Sequence, residues 1–129
     1  MAHGKFGTAI NCMDGRAQVP VINWMKEKFS LDYVDMITEP GADKVVGEGW
    51  FEKVTEIKHK IKISVNAHGS RIVVVAGHDD CAGNPVTPAE HKKHIKDGVE
   101  AVLSWGFPLE KVIGIWLNKD WKVEVVTEK

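Results

Sequence analysis

The sequence is poor in the features that would fix a function from composition alone. It holds only two cysteines in 129 residues, which is no disulfide framework. In a reducing compartment such thiols are ligands, nucleophiles or inert core residues. It has no excess of either charge, with 17 basic and 18 acidic residues and a formal charge of -1. Because the two signs are mixed along the chain, a nucleic-acid or anionic-membrane partner has no electrostatic footprint here, and a small or neutral partner is expected. No apolar stretch approaches the roughly 18 residues that span a bilayer. Met1-Ala2-His3-Gly4-Lys5 is too short and polar for a secretory signal, so a cytoplasmic location is expected. Gly47-Glu48-Gly49 lacks a third spaced glycine after a strand, so it reads as a relaxed turn and not as a dinucleotide fingerprint. With no repeats, linkers or low-complexity segments, one domain over residues 1–129 is expected. A chain of this length buries roughly two thirds of its unfolded surface and needs neither disulfide nor metal merely to fold.

What the sequence does have is concentrated in Val73-Val74-Val75-Ala76-Gly77-His78-Asp79-Asp80-Cys81. Apolar residues on both parities mark a strand covered on both faces, as in a parallel sheet. Its far end presents His78 and Cys81 three positions apart, at the edge where open parallel sheets collect ligands. Gly7 to Asn11 reads as a similar strand that delivers Cys12. After a loop over Met13 to Gln18, Pro20 suits the first turn of a helix carrying Val21, Ile22, Met25 and Phe29. A second strand over 33–38 is followed by a loop at Glu39-Pro40-Gly41-Ala42-Asp43. From about Gly49 to Ile63, Trp50, Val54, Ile57 and Ile61 share one helix face, and Asn66 to Ser70 reads as a polar turn. Thr87-Pro88-Ala89-Glu90 is a capping box that opens a helix burying Ile95, Val99, Val102 and Leu103, with Gly106 at its end. Strands over 112–117 and 121–125 follow, the last alternating as an antiparallel edge strand does.

This succession predicts an α/β fold: a doubly wound, mostly parallel sheet of order 2-1-3-4-5 with an antiparallel C-terminal edge strand and helices on both faces. In that order the first and third strands are neighbours where the winding reverses, so Cys12, His78 and Cys81 converge. Two thiolates and an imidazole suit zinc, and three protein ligands leave the open fourth position of a catalytic site. Asp14 offers a fourth ligand in a closed state. Asp14 and Arg16 can also form a charge-assisted pair in which the arginine keeps the carboxylate ionised, ready to accept the proton of a zinc-bound hydroxide.

Cys12-Met13-Asp14-Gly15-Arg16 followed by Gly77-His78-Asp79-Asp80-Cys81 resembles the Cys-x-Asp-x-Arg and His-x-x-Cys motifs of the β-class carbonic anhydrases, and the order of elements is similar over most of the chain. The resemblance implies zinc on Cys12, His78 and Cys81, Asp14 and Arg16 as a catalytic dyad, and reversible hydration of carbon dioxide to bicarbonate. It also implies a homodimer or higher homo-oligomer, although the N-terminal helical extension that usually embraces a partner is missing. A second departure lies after the second strand. Thr38-Glu39-Pro40-Gly41-Ala42-Asp43 stands where many members have Arg-Asn-Ala-Gly-Asn, so one wall of the substrate pocket differs.

Three other readings compete. Related zinc hydrolases act on carbon disulfide or carbonyl sulfide, and Asp14 as a fourth ligand would make a non-catalytic zinc protein. A cysteine-nucleophile phosphatase or sulfurtransferase is disfavoured, because phosphatase loops need arginine six positions after the cysteine, where Gln18 stands, and because it leaves His78 and Cys81 without a role. Glu90, His91 and His94 read as a solvated helix turn, with His91, four positions before Ile95, partly packed. His3, His59 and His68 have no convergent partners in the sequence.

Overall fold

The computed structural model describes residues 3–129. The first apolar run forms β1 (Phe6–Asn11), and after a 3-10 turn at Gly15–Ala17 the chain enters α1 (Gln18–Phe29). β2 (Tyr33–Thr38), α2 (Ala42–Glu48) and α3 (Phe51–His68) precede the central strand β3 (Ile72–His78), every residue of which is buried. α4 (Pro88–Ser104), β4 (Lys111–Leu117) and β5 (Val123–Glu128) complete the chain. The sheet has the order β2-β1-β3-β4-β5, parallel except for the antiparallel β4–β5 pair.

Alternation along the strands divides the apolar side chains between two layers. Val73 and Val75 face a core built with Val45, Val46, Ile57, Ile61, Val99 and Val102 from α2, α3 and α4. Ile72, Val74 and Ala76 face the opposite core, where Val21 and Met25 of α1 pack with Ile113, Ile115 and Leu117. The expected α/β architecture, with helices on both faces, is therefore present, and β1 lies beside β3 as the site requires.

Four local expectations are corrected. Ala42 and Asp43 do not belong to the loop after β2, nor Gly47 and Glu48 to a relaxed turn: α2 forms because Ala42, Val45 and Val46 are buried, and Gly47 lies so close to the His94 carbonyl that a Cβ there would sit 2.7 Å away. The stretch from Asn66 to His68 is not a turn, since α3 runs to His68 and stops at Gly69, whose φ of 70° supplies a left-handed cap. β5 starts at Val123, because Trp121 belongs to the connection. Leu103 is exposed, since the buried face of α4 runs through His91, Ile95, Val99 and Val102. The α4 cap is as the capping box predicts: the Glu90 amide donates to the Thr87 hydroxyl at 3.2 Å.

Candidate metal centre

Each candidate ligand is delivered by a strand end and then fixed by local hydrogen bonds. At the end of β1, the buried Asn11 side chain donates to the Ala17 carbonyl (3.1 Å) and accepts from the Cys12 amide (3.0 Å), folding the loop back on itself. Gln18 ties the same loop by donating to the carbonyls of Cys12 and Asp14, at 2.7 and 2.9 Å. Asp14 caps the 3-10 turn by accepting the Arg16 amide at 2.8 Å. Its carboxylate also accepts two guanidinium bonds, from Arg16 Nε at 3.1 Å and from Nη2 at 2.7 Å.

On β3, His78 Nδ1 lies 2.7 Å from the Asp79 carbonyl. A carbonyl only accepts, so Nδ1 must carry the proton, and Nε2 of the neutral ring is left with a bare lone pair. That nitrogen is buried and has no hydrogen-bond partner. Cys12 Sγ and Cys81 Sγ are 3.9 Å apart, and the three ligand atoms of Cys12, His78 and Cys81 all lie within 4.8 Å of one another. All three residues are buried. Among the described residues, this group of side chains could hold a metal ion. The orphaned Nε2 and the two convergent sulfurs suit a soft or borderline divalent cation.

The electrostatics favour an anionic Cys12. Cys12 is lowered to about 4, first by a hydrogen bond from the Cys81 thiol and then by His78 and the amides of Asp14 and Gly41, against the opposing effect of burial. Cys81 moves the other way because it is the donor to Cys12 and is buried. Burial disfavours a charged His78, yet Cys12, the Asp79 carbonyl and Asp14 together raise its pKa. Arg16 holds Asp14 down to about 2, chiefly through their side-chain hydrogen bonds, and Asp14 in turn raises Arg16. Asp14 Oδ2 stands 4.0 Å from His78 Nε2, so the dyad borders the ligand cluster.

The structure thus brings together the five residues singled out by the two motifs. It also supplies neighbours that the sequence did not indicate. Arg16 Nη1 reaches Asp80 Oδ2 at 3.2 Å, Nη2 reaches the Asp80 carbonyl at 3.1 Å, and the guanidinium lies 4.9 Å from the Trp121 ring centre. Behind the sulfurs, the loops of Gly41 and Gly83 touch backbone to backbone, and a Cβ on either would come within 2.6 Å of the other. Gly41 also has a φ of 60°, so glycine is required there on two counts.

His91 is fully buried, beyond the partial packing expected of it, and His94 is part-buried where a solvated residue was expected. His91 Nδ1 lies 2.6 Å from Asp43 Oδ2, and Asn84 Nδ2 approaches Asp43 Oδ1 at 3.2 Å and the Nδ1 atoms of His91 and His94 at 3.3 and 3.1 Å. The signal available in the sequence was spacing: His91 precedes Ile95 by four residues on the apolar face of α4. His68 likewise finds Asp35, at 2.7 Å, and stacks on Phe6.

A mostly parallel sheet gathers two thiols and an imidazole at its carboxyl edge, on strands adjoining the reversal of winding, and so defines an α/β protein with a side-chain group that could hold a metal ion. The family described as "Putative carbonic anhydrase" matches residues 2–127, and the chain belongs to that family. Among solved structures, the chain is similar to the β-carbonic anhydrase CafA of Aspergillus fumigatus, with a TM-score of 0.57 and 14% identity over 95% of this chain and 75% of that one. At that identity the likeness shows the fold. No curated protein sequence matches the chain significantly. Among the described residues, no helix is long and apolar enough to cross a membrane.

Proposed function

We propose that the protein reversibly hydrates carbon dioxide to bicarbonate, with zinc held by Cys12, His78 and Cys81 and with Asp14 and Arg16 acting on the attacking oxygen. The observation that carries this reading is the buried, unpartnered Nε2 of His78, which faces two thiols and borders a carboxylate already engaged by arginine. Family membership supports a carbonic anhydrase-like lyase with a small-molecule substrate. Bound zinc would supply Lewis acidity, making a water molecule nucleophilic near neutral pH. Two thiolates offset the charge of a divalent ion, so the surrounding groups must contribute to that activation.

The residues divide the remaining work. Asp14, held at about 2 by Arg16, stays ionised through the neutral range. It therefore accepts a hydrogen bond from the attacking oxygen without retaining its proton, and so aims the oxygen lone pair at the carbon. Hydration of carbon dioxide yields bicarbonate and one proton, and that proton passes to solvent. Arg16 keeps the carboxylate in place through two N–H donors, a geometry that a lysine would not reproduce.

The test pairs metal analysis with a carbon dioxide hydration assay across pH, on the parent and on Asp14→Asn. The expected result is one zinc per chain in both proteins, and a loss of about 10²-fold in hydration for the variant. Full zinc with no hydration by the parent at any pH would overturn the carbon dioxide assignment, in favour of a sulfur-analogue substrate or a non-catalytic zinc site.

A further inference from the structure

Among the described residues, three non-glycines have a left-handed backbone: Ser30, Asp80 and Trp121, with φ of 53°, 55° and 58°. Ser30 is the C-cap of α1, where that conformation is routine. Neither of the others caps a helix, and for a residue as bulky as tryptophan the conformation is a genuine outlier. Although 41 positions apart in sequence, Asp80 and Trp121 converge on one group, the guanidinium of Arg16. Strained backbone persists only where the surroundings over-determine it, and it clusters at functional sites.

The surroundings that hold these two residues are on hand. Trp121 donates its amide to the Asn118 carbonyl at 2.9 Å, while Asn118 Oδ1 accepts the amides of Asp120 and Lys122 at 2.9 and 3.1 Å. Asn118 Nδ2 in turn donates to Glu124 Oε2 at 2.9 Å. This connection between β4 and β5 presents the indole to two partners at once: the Arg16 guanidinium, 4.9 Å away, and the His78 ring, 5.7 Å between centres. Asp80 lies between the two candidate ligands of β3 and its following loop. Its turn brings Cys81 back beside His78 and directs its carbonyl to Arg16.

Arg16 is half exposed, and an exposed ion pair holds a long side chain poorly. We propose that Trp121 and Asp80 are positioning residues, a clamp that fixes the Arg16 guanidinium independently of Asp14, so that the carboxylate stays aimed at the metal cluster. The catalytic meaning of the clamp rests on the function proposed above; its physical existence does not. The indole face also covers the side of the site between the dyad and His78.

The experiment follows the Arg16 Nε–H signal by NMR, together with zinc content and hydration kinetics, in the zinc-loaded parent and in Trp121→Phe, Trp121→Leu and Asp80→Gly. Leucine removes the aromatic face, phenylalanine keeps one, and glycine keeps the left-handed turn and its carbonyl while deleting the carboxylate arm. The expected result for Trp121→Leu is full zinc, Arg16 Nε–H exchange with water at least about tenfold faster, and kcat lowered by about tenfold to a hundredfold with KM little changed. Trp121→Phe should recover part of both losses, and Asp80→Gly should show a smaller loss of protection. Arg16 protection equal to the parent in Trp121→Leu would overturn the proposal. Should that variant fail to fold, parental protection in both Trp121→Phe and Asp80→Gly would overturn it equally. A parent that binds no zinc, or hydrates nothing, would defeat the proposed function, while Arg16 exchange would still report on the clamp.

Discussion

Two polar clusters lie on either side of the Gly41–Gly83 contact, and they solve the problem of buried polarity in opposite ways. In the inner one, Asp43, His91 and Asn84 are buried, and their polar atoms are turned on one another and on His94. It leaves a neutral amide oxygen, Asn84 Oδ1, without a partner. In the outer one, Cys12, His78 and Cys81 are equally buried, but the imidazole Nε2 faces two sulfurs and, among the described residues, has no hydrogen-bond partner. The inner cluster is complete as a joint between α2, α4 and the loop after Cys81. The outer cluster could be completed by a cation. A largely paired network rigidifies the scaffold, whereas convergent soft side chains with a bare lone pair suit a ligand from outside the chain.

The comparison can be broken first at its outer member. His78→Ala should abolish tight zinc binding, because the apparent free energy of a zinc site is on the order of 10 kcal/mol and depends on every ligand. The metal-free variant should still fold, since both apolar layers stay intact. Zinc titration alongside thermal melts checks both halves, and a metal-free variant that loses its cooperative melt would show that the site holds the fold together.

The inner member should respond in the reverse sense. Asp43→Ala leaves His91 and Asn84 without their buried acceptor, and it should lower unfolding stability by about 3 kcal/mol. Zinc stoichiometry of the folded fraction should stay near that of the parent. Denaturant melts with metal analysis decide this, and loss of zinc without loss of stability would merge the two clusters into one functional unit.

The smallest effect concerns pH. The carboxyl of Asp14 falls from 3.8 to about 2 on folding. A depressed carboxylate pKa adds stability above the unfolded value, and that stability is lost as pH drops through the folded value. Between about pH 4 and pH 2 the metal-free parent should therefore lose stability that Asp14→Asn never had. The dyad is partly exposed, so the difference should stay below about 1 kcal/mol. Acid melts of the two proteins that superimpose above pH 4 and separate below it would be the inverse of this expectation.

The outer cluster was legible in the sequence because its parts lie close to strand ends. Cys12 follows an apolar run, His78 and Cys81 follow another, and strand order alone makes them neighbours. Its supports were not legible. Trp121 alternates with Val123 and Val125 as though it continued the strand, and only the hydrogen bonding of Asn118 shows that the chain turns there instead. The inner cluster was misread because a mixed polar helix turn is usually solvated. The spacing of His91 to Ile95 pointed inward, but its partner Asp43 sits on α2, a short helix after Pro40-Gly41 that buries Ala42, Val45 and Val46.

By itself, the sequence determined the alternation of strands and helices and which soft side chains stand at the strand ends. These depend on hydrophobic period and on residue chemistry, both of which are local. The tertiary structure alone decided which lone pair is left bare, which carboxylate is turned toward arginine and which histidines are spent on holding helices together. Those outcomes depend on distances between atoms far apart in the chain, and on the requirement that buried polar groups find partners wherever the fold places them.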